Sequence, residues 1–177
     1  SHADVKFDSV LIKGNTSNKG GGYGNAKVTT QGTEINKMRV INNSANTYGG
    51  GMYVGGGNTN TSKFHNILVS GNTANNAGGG IYLPHSKNRV QFYDAIISNN
   101  SSVLGGGLFI EHSDPLFERT IIRDNSATKG GGIFAKQNQA GPKFINTLIH
   151  NNSATESGGA IHSLNPVSYT HLTLPTI

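Results

Sequence analysis

Apolar positions recur along this chain in one fixed order, at neither a helical nor a simple alternating period. In the unit FHNILVSGNTANNAGGGIYLPHSKNRVQ, which begins at Phe64, apolar residues stand at offsets 0, 3 and 5 and an asparagine at offset 8. Equivalent units begin at Phe7, Ile35, Phe92, Phe117 and Phe144, so successive units span 28, 29, 28, 25 and 27 residues. A near-constant period of this size signals a solenoid whose units bury their apolar faces only by stacking. The eighth-position asparagines are Asn15, Asn43, Asn72, Asn100, Asn125 and Asn152, each followed by Ser or Thr and then by Ser or Ala. Five or six residues later comes a glycine triplet, at Gly20, Gly49, Gly78, Gly105 and Gly130, with Gly-Gly-Ala from Gly158 in the last unit. Length varies only in the linkers between these points.

The offsets predict a short strand ending in a turn at each asparagine. Offset 5 is always Ile or Val (Ile12, Val40, Val69, Ile97, Ile122, Ile149), as a β-branched residue facing a stacked core should be. Offset 4 is apolar in five units but is Arg39 in the second, so strict alternation fails there. Either the strand bends or that face is covered. After the glycines a second strand reads Met52-Tyr53-Val54, Ile81-Tyr82-Leu83, Leu108-Phe109-Ile110, Ile133-Phe134-Ala135 and Ile161-His162-Ser163. With its aliphatics inward, the middle residues Tyr53, Tyr82, Phe109, Phe134 and His162 form an outward row spaced ~4.8 Å from coil to coil. These five are the candidate binding residues, for sugar rings or a partner's surface; the alternative is a row that only stacks on itself.

An asparagine at one place in every coil can bond backbone groups of its own and neighbouring turns, so Asn15, Asn43, Asn72, Asn100, Asn125 and Asn152 are expected to form an internal structural ladder. The glycines supply positive φ and close backbone approach at a second corner. The same offsets fit a leucine-rich repeat, but three adjacent glycines oppose the helical return of that fold by ~1 kcal/mol each, and a strand follows them. The expected fold is therefore all-β: a right-handed parallel β-helix of about six coils of 25 to 29 residues.

Composition adds boundaries. The 177 residues hold 34% apolar residues, enough for one solenoid domain whose coils share a core. Absence of cysteine excludes disulfides, zinc-thiolate sites and cysteine nucleophiles. The net charge of +5 is scattered over all units without basic runs or aromatic interleaving, so no nucleic-acid partner is expected. No stretch has the apolar length of a transmembrane helix, and the first residues, SHADVKF, lack a signal-peptide pattern. Residues 167–177 break the repeat, and Val167 to Thr176 reads as the translation of a transposon sequencing adapter, so the β-helix is assigned to residues 1–166 and the chain is expected to be a fragment open at both ends.

The tetrapeptide GGAI from Gly158, with GGGM, GGGI, GGGL and GGGI in earlier units, resembles the GGA(I/L/V) motif of the chlamydial polymorphic membrane proteins and related bacterial passenger domains. The companion motif FxxN is matched by IKGN, VINN, VSGN, ISNN, IRDN and IHNN, with Ile or Val in place of Phe. The resemblance covers nearly all of residues 7–163 and implies a surface-displayed β-helix. In that family it is carried by an autotransporter barrel and associated with adhesion to host cells.

Many parallel β-helices act on polysaccharides, so the acidic residues test a competing reading. An inverting glycosidase needs two carboxylates ~6.5–9.5 Å apart, and no pair among the nine occupies matched strand offsets. The densest group is Glu111-His112-Ser113-Asp114. His112 and His85 each lie seven residues after the first glycine of a triplet, so His85, Glu111, His112 and Asp114 are the weak catalytic or metal candidates. Calcium-binding GGxGxD repeats and the NTD, GHG and RIK motifs of polygalacturonases are absent. The expected function is that of an adhesin-like, noncatalytic passenger at a bacterial cell surface or outside the cell. It needs no cofactor or metal, and a host-surface protein or glycan is its expected partner. An extracellular polysaccharide lyase or glycoside hydrolase, with active-site coils partly outside the fragment, and a purely structural spacer are the alternatives.

Overall fold

The computed structural model describes residues 6–25, 33–55, 60–84, 88–136 and 141–164. Both His85 and the adapter-like residues 167–177 lie outside this set. The fold is an all-β parallel solenoid in which each coil contributes one strand to each of four six-stranded sheets. In the coil that starts near Phe92 these strands are Gln91–Tyr93, Ile96–Ser98, Ser101–Leu104 and Leu108–Glu111. Every strand pairs in parallel with its equivalents in adjacent coils, as Phe64↔Phe92↔Phe117 in the first sheet and Val69↔Ile97↔Ile122 in the second. Among the described residues there is no helix.

The single strand expected before the asparagine is in fact two. At offset 2 the chain passes through a left-handed residue, Ser9, Lys37, Asn66, Asp94, Arg119 or Asn146, with φ between 48° and 58°. That one residue redirects the backbone from the first sheet into the second. It explains why apolar residues at offsets 0, 3 and 5 all face inward: the parity of the strand is reset at the bend. Offset 4 then points outward, where Leu11 is 57% exposed and Leu148 43%. Of the two explanations for the failed alternation, the bend is the one observed. A second left-handed residue precedes each ladder asparagine (Gly14, Asn42, Gly71, Asn99, Asp124, Asn151), and the first glycine of each triplet supplies the third, at 63° to 68°.

Inside the coil, the offset-0 rings Phe64, Phe92, Phe117 and Phe144 stack with centroids 4.9, 4.8 and 5.2 Å apart. Opposite them lie the inward aliphatics of the fourth sheet, Met52, Val54, Ile81, Leu83, Leu108, Ile110 and Ile133, all fully buried. This continuous column is what holds units of so little individual apolar content together: each ring covers the next at the strand spacing.

Candidate binding surface

The six asparagines form the expected ladder. Asn72 donates from its backbone N and its Nδ2 to Oδ1 of Asn100 at 2.9 and 3.0 Å, and its Nδ2 also reaches the Val40 carbonyl at 2.9 Å. The same three bonds recur in Asn43 and Asn100. Asn43, Asn72, Asn100 and Asn125 are at most 1% exposed, so the amides serve the corner between the second and third sheets and offer nothing to a ligand.

The row Tyr53, Tyr82, Phe109, Phe134 and His162 also forms. Its successive centroids are 5.5, 5.1, 5.0 and 4.9 Å apart, with planes within 20° of parallel. The row lies outside the main core yet is not open to solvent along its length: Tyr82, Phe109 and Phe134 are 6%, 5% and 3% exposed. They are covered from the side by Tyr48, Ala77 and Leu104, making a second, smaller apolar cluster. The covering residue is always the one just before the glycine triplet, and the positions pair from coil to coil as Lys19↔Tyr48, Tyr48↔Ala77, Ala77↔Leu104, Leu104↔Lys129 and Lys129↔Ser157. The sequence carries a signal for this column, its constant place beside the triplet, but its mixed chemistry hides it. At the high-numbered end Ser157 Oγ lies 2.9 Å from His162 Nδ1.

Of the weak catalytic candidates, Glu111 has the best-defined environment. Tyr82 Oη donates to its Oε2 at 2.6 Å and Lys136 Nζ to its Oε1 at 3.1 Å. Burial by itself would raise the Glu111 carboxyl, but the Tyr82 hydroxyl, Lys136 and His112 outweigh it and hold it below the ordinary carboxylate range. Tyr82 is pushed well above the usual phenol range, by burial first and then by Glu111. His112 stands in a left-handed turn with φ 52°, and its buried Nδ1 has no hydrogen-bond partner. Asp114 is fixed through its backbone N, which donates to the Asn88 carbonyl. Among the described residues no three His, Asp or Glu side chains are grouped to hold a metal.

Because Glu111 is depressed in the folded state, its stabilising effect is complete above the unfolded carboxylate pKa, ~4.3, and fades as pH falls through the lower folded value. Glu111→Gln is expected to cost ~1 kcal/mol at neutral pH and progressively less below pH ~4. Urea midpoints of the two proteins measured across that range check it; a constant difference would mean that the charge is irrelevant.

On the outward face of the first sheet, His65 and Tyr93 stack at 4.9 Å, and Arg119 clasps Asp94 with two hydrogen bonds of 2.8 and 3.1 Å. Beside them opens a shallow cavity of about 410 Å³, bordered by Asp8, Glu34, Asn36, His65 and Asn66. Its amides and carboxylates are tied to one another, Asn66 to Asn36 and Asn36 to Asp8. None of these residues stood out in the sequence, because the first-sheet outward positions carry no common residue type.

Two stretches, 66–84 and 146–164, match the Chlamydia polymorphic membrane protein repeat. Each begins at an offset-2 left-handed residue, Asn66 or Asn146, and runs through the second, third and fourth sheets of one coil, ladder asparagine and glycines included. The chain is thus a β-helix whose coils resemble those repeats. No curated protein and no solved structure matches it. Among the described residues no helix is long and apolar enough to cross a membrane.

Proposed function

We propose that this chain is part of the surface-exposed passenger of a bacterial outer-membrane or extracellular protein, with an adhesin-like role in binding a host-surface protein or glycan. The observation that carries the reading is the match of two coils to the polymorphic membrane protein repeat within an uninterrupted parallel solenoid. A supporting point is that Glu111, the best defined of the weak catalytic candidates, is already engaged by the Tyr82 hydroxyl and the Lys136 ammonium.

Binding of the purified, fluorescently labelled chain to cultured epithelial cells and to a glycan array tests this reading. Saturable retention that unlabelled protein competes away is the expected result. Folded protein that binds neither surface would favour a spacer that holds a distal domain away from the cell. Release of reducing or unsaturated sugar from a polysaccharide panel, lost in His112→Ala, would instead make it an enzyme.

A further inference from the structure

At the low-numbered end of the aromatic row, no ring stacks beneath Tyr53 among the described residues. In register with Tyr53 the first coil places Gly24, and beside it, in register with Tyr48, it places Lys19. Where every later coil supplies a ring or an imidazole, the first supplies no side chain. Unlike the triplet glycines, Gly24 is not demanded by its backbone: it has no left-handed φ, and a Cβ there would approach nothing closer than 3.7 Å. Its consequence is that no ring stacks on that side of Tyr53, where the Lys19 ammonium stands instead. Tyr48 and Tyr53, both partly exposed, lie 4.8 and 5.5 Å from the Tyr82 ring, and the Lys19 ammonium sits 5.6 and 5.8 Å from the Tyr48 and Tyr53 centroids.

We propose that Tyr53, Tyr48 and Lys19 form a subsite for an anionic sugar ring, one bearing a carboxylate. The pyranose would lie over Tyr53, one rung below it, in the place that a side chain at position 24 would occupy. That rung is ~4.8 Å deep, the thickness over which the other rings of the row already stack. The two phenol hydroxyls offer donors and acceptors to ring hydroxyls, and the Lys19 ammonium selects for the carboxylate. Recognition in this form combines an apolar ring face with few polar groups, as small-ligand sites do. The remaining rings serve as the rigid support that fixes the orientation of Tyr53. This site deepens the adhesin reading and rests on it.

The test is titration of the full chain with a hyaluronate tetrasaccharide, with a neutral dextran oligosaccharide as comparator. Saturable binding of the uronate sugar, with dextran at least about tenfold weaker, is expected. Gly24→Phe extends the stack and should raise the melting temperature while weakening binding about tenfold or more, so that the loss cannot come from unfolding. Lys19→Gln should abolish the preference over dextran. If Gly24→Phe and Lys19→Gln bind as the unaltered protein does, the ligand sits elsewhere and the subsite is wrong while the adhesin reading stands. If the unaltered chain binds cells or other glycans but no uronate sugar, the assignment of ligand class is overturned. If it binds nothing at all, both fall.

Discussion

Gly106→Ala is expected to leave no stable stack, a loss of ~4 kcal/mol or more, seen as insoluble protein or as a collapse of the urea transition. The reason is backbone against backbone. A Cβ on Gly106 would press into the carbonyl oxygens of Ser126 and Gly131 in the next coil, and neither can yield without moving its own sheet. The same contact recurs at Gly21, Gly50, Gly79 and Gly131, always the middle glycine, always against a Ser or Thr carbonyl and the middle glycine that follows. Gly24→Ala is the internal control, with nothing nearer than 3.7 Å, and should cost under about 1 kcal/mol. If the two substitutions had equal effects, close coil-to-coil approach would not be what selects the triplets.

Asn100→Ala is the second large effect, expected at ~3 kcal/mol or more in the urea midpoint. It strands two buried N–H groups of Asn72, the backbone N and the Nδ2 hydrogen not bound to Val40 O, and takes a donor from the Val69 carbonyl, and each unsatisfied buried group costs ~1–3 kcal/mol. Asn100→Asp separates donor from acceptor. It keeps the oxygen that Asn72 needs but replaces the Nδ2 donor, aimed at Val69 O and Asn125 Oδ1, with a second oxygen. The buried carboxyl of that variant should titrate above the ordinary range, so its deficit is complete above the raised pKa and shrinks as pH falls and the acid becomes a donor. An Asp variant with no such recovery at low pH would show that the amide's donors matter little.

Much of this architecture could be read from spacing. The ladder asparagines, the inward β-branched column at offset 5 and the strand after the glycines all appear where the repeat puts them, because each is one residue type held at one offset by one geometric need. The offset-2 bend was harder to see. Its occupants are Ser, Lys, Asn, Asp, Arg and Asn, and only their tolerance of positive φ in this context unites them. The aromatic row was visible as a row, but its burial was not. That burial depends on Tyr48, Ala77 and Leu104, neighbours in space whose shared role shows only when the corner before the glycines folds them over the rings. The missing ring at Gly24 is less visible still, because a glycine two residues past a glycine triplet looks like one more turn residue.

The ladder has a direction. From asparagine to asparagine, each Nδ2 donates to the Oδ1 one coil higher, Asn15 to Asn43, Asn43 to Asn72 and on to Asn152, while from Asn43 onward the same Nδ2 also reaches a carbonyl of the coil below. The column is a one-way chain of dipoles, each polarising the next. A whole coil inserted or deleted in frame leaves that chain unbroken, since each rung meets only the rungs on either side. Gene duplication and recombination can therefore lengthen or shorten such a protein in steps of one coil without redesigning its interior, and the length of the solenoid becomes a quantity that evolution can adjust by counting.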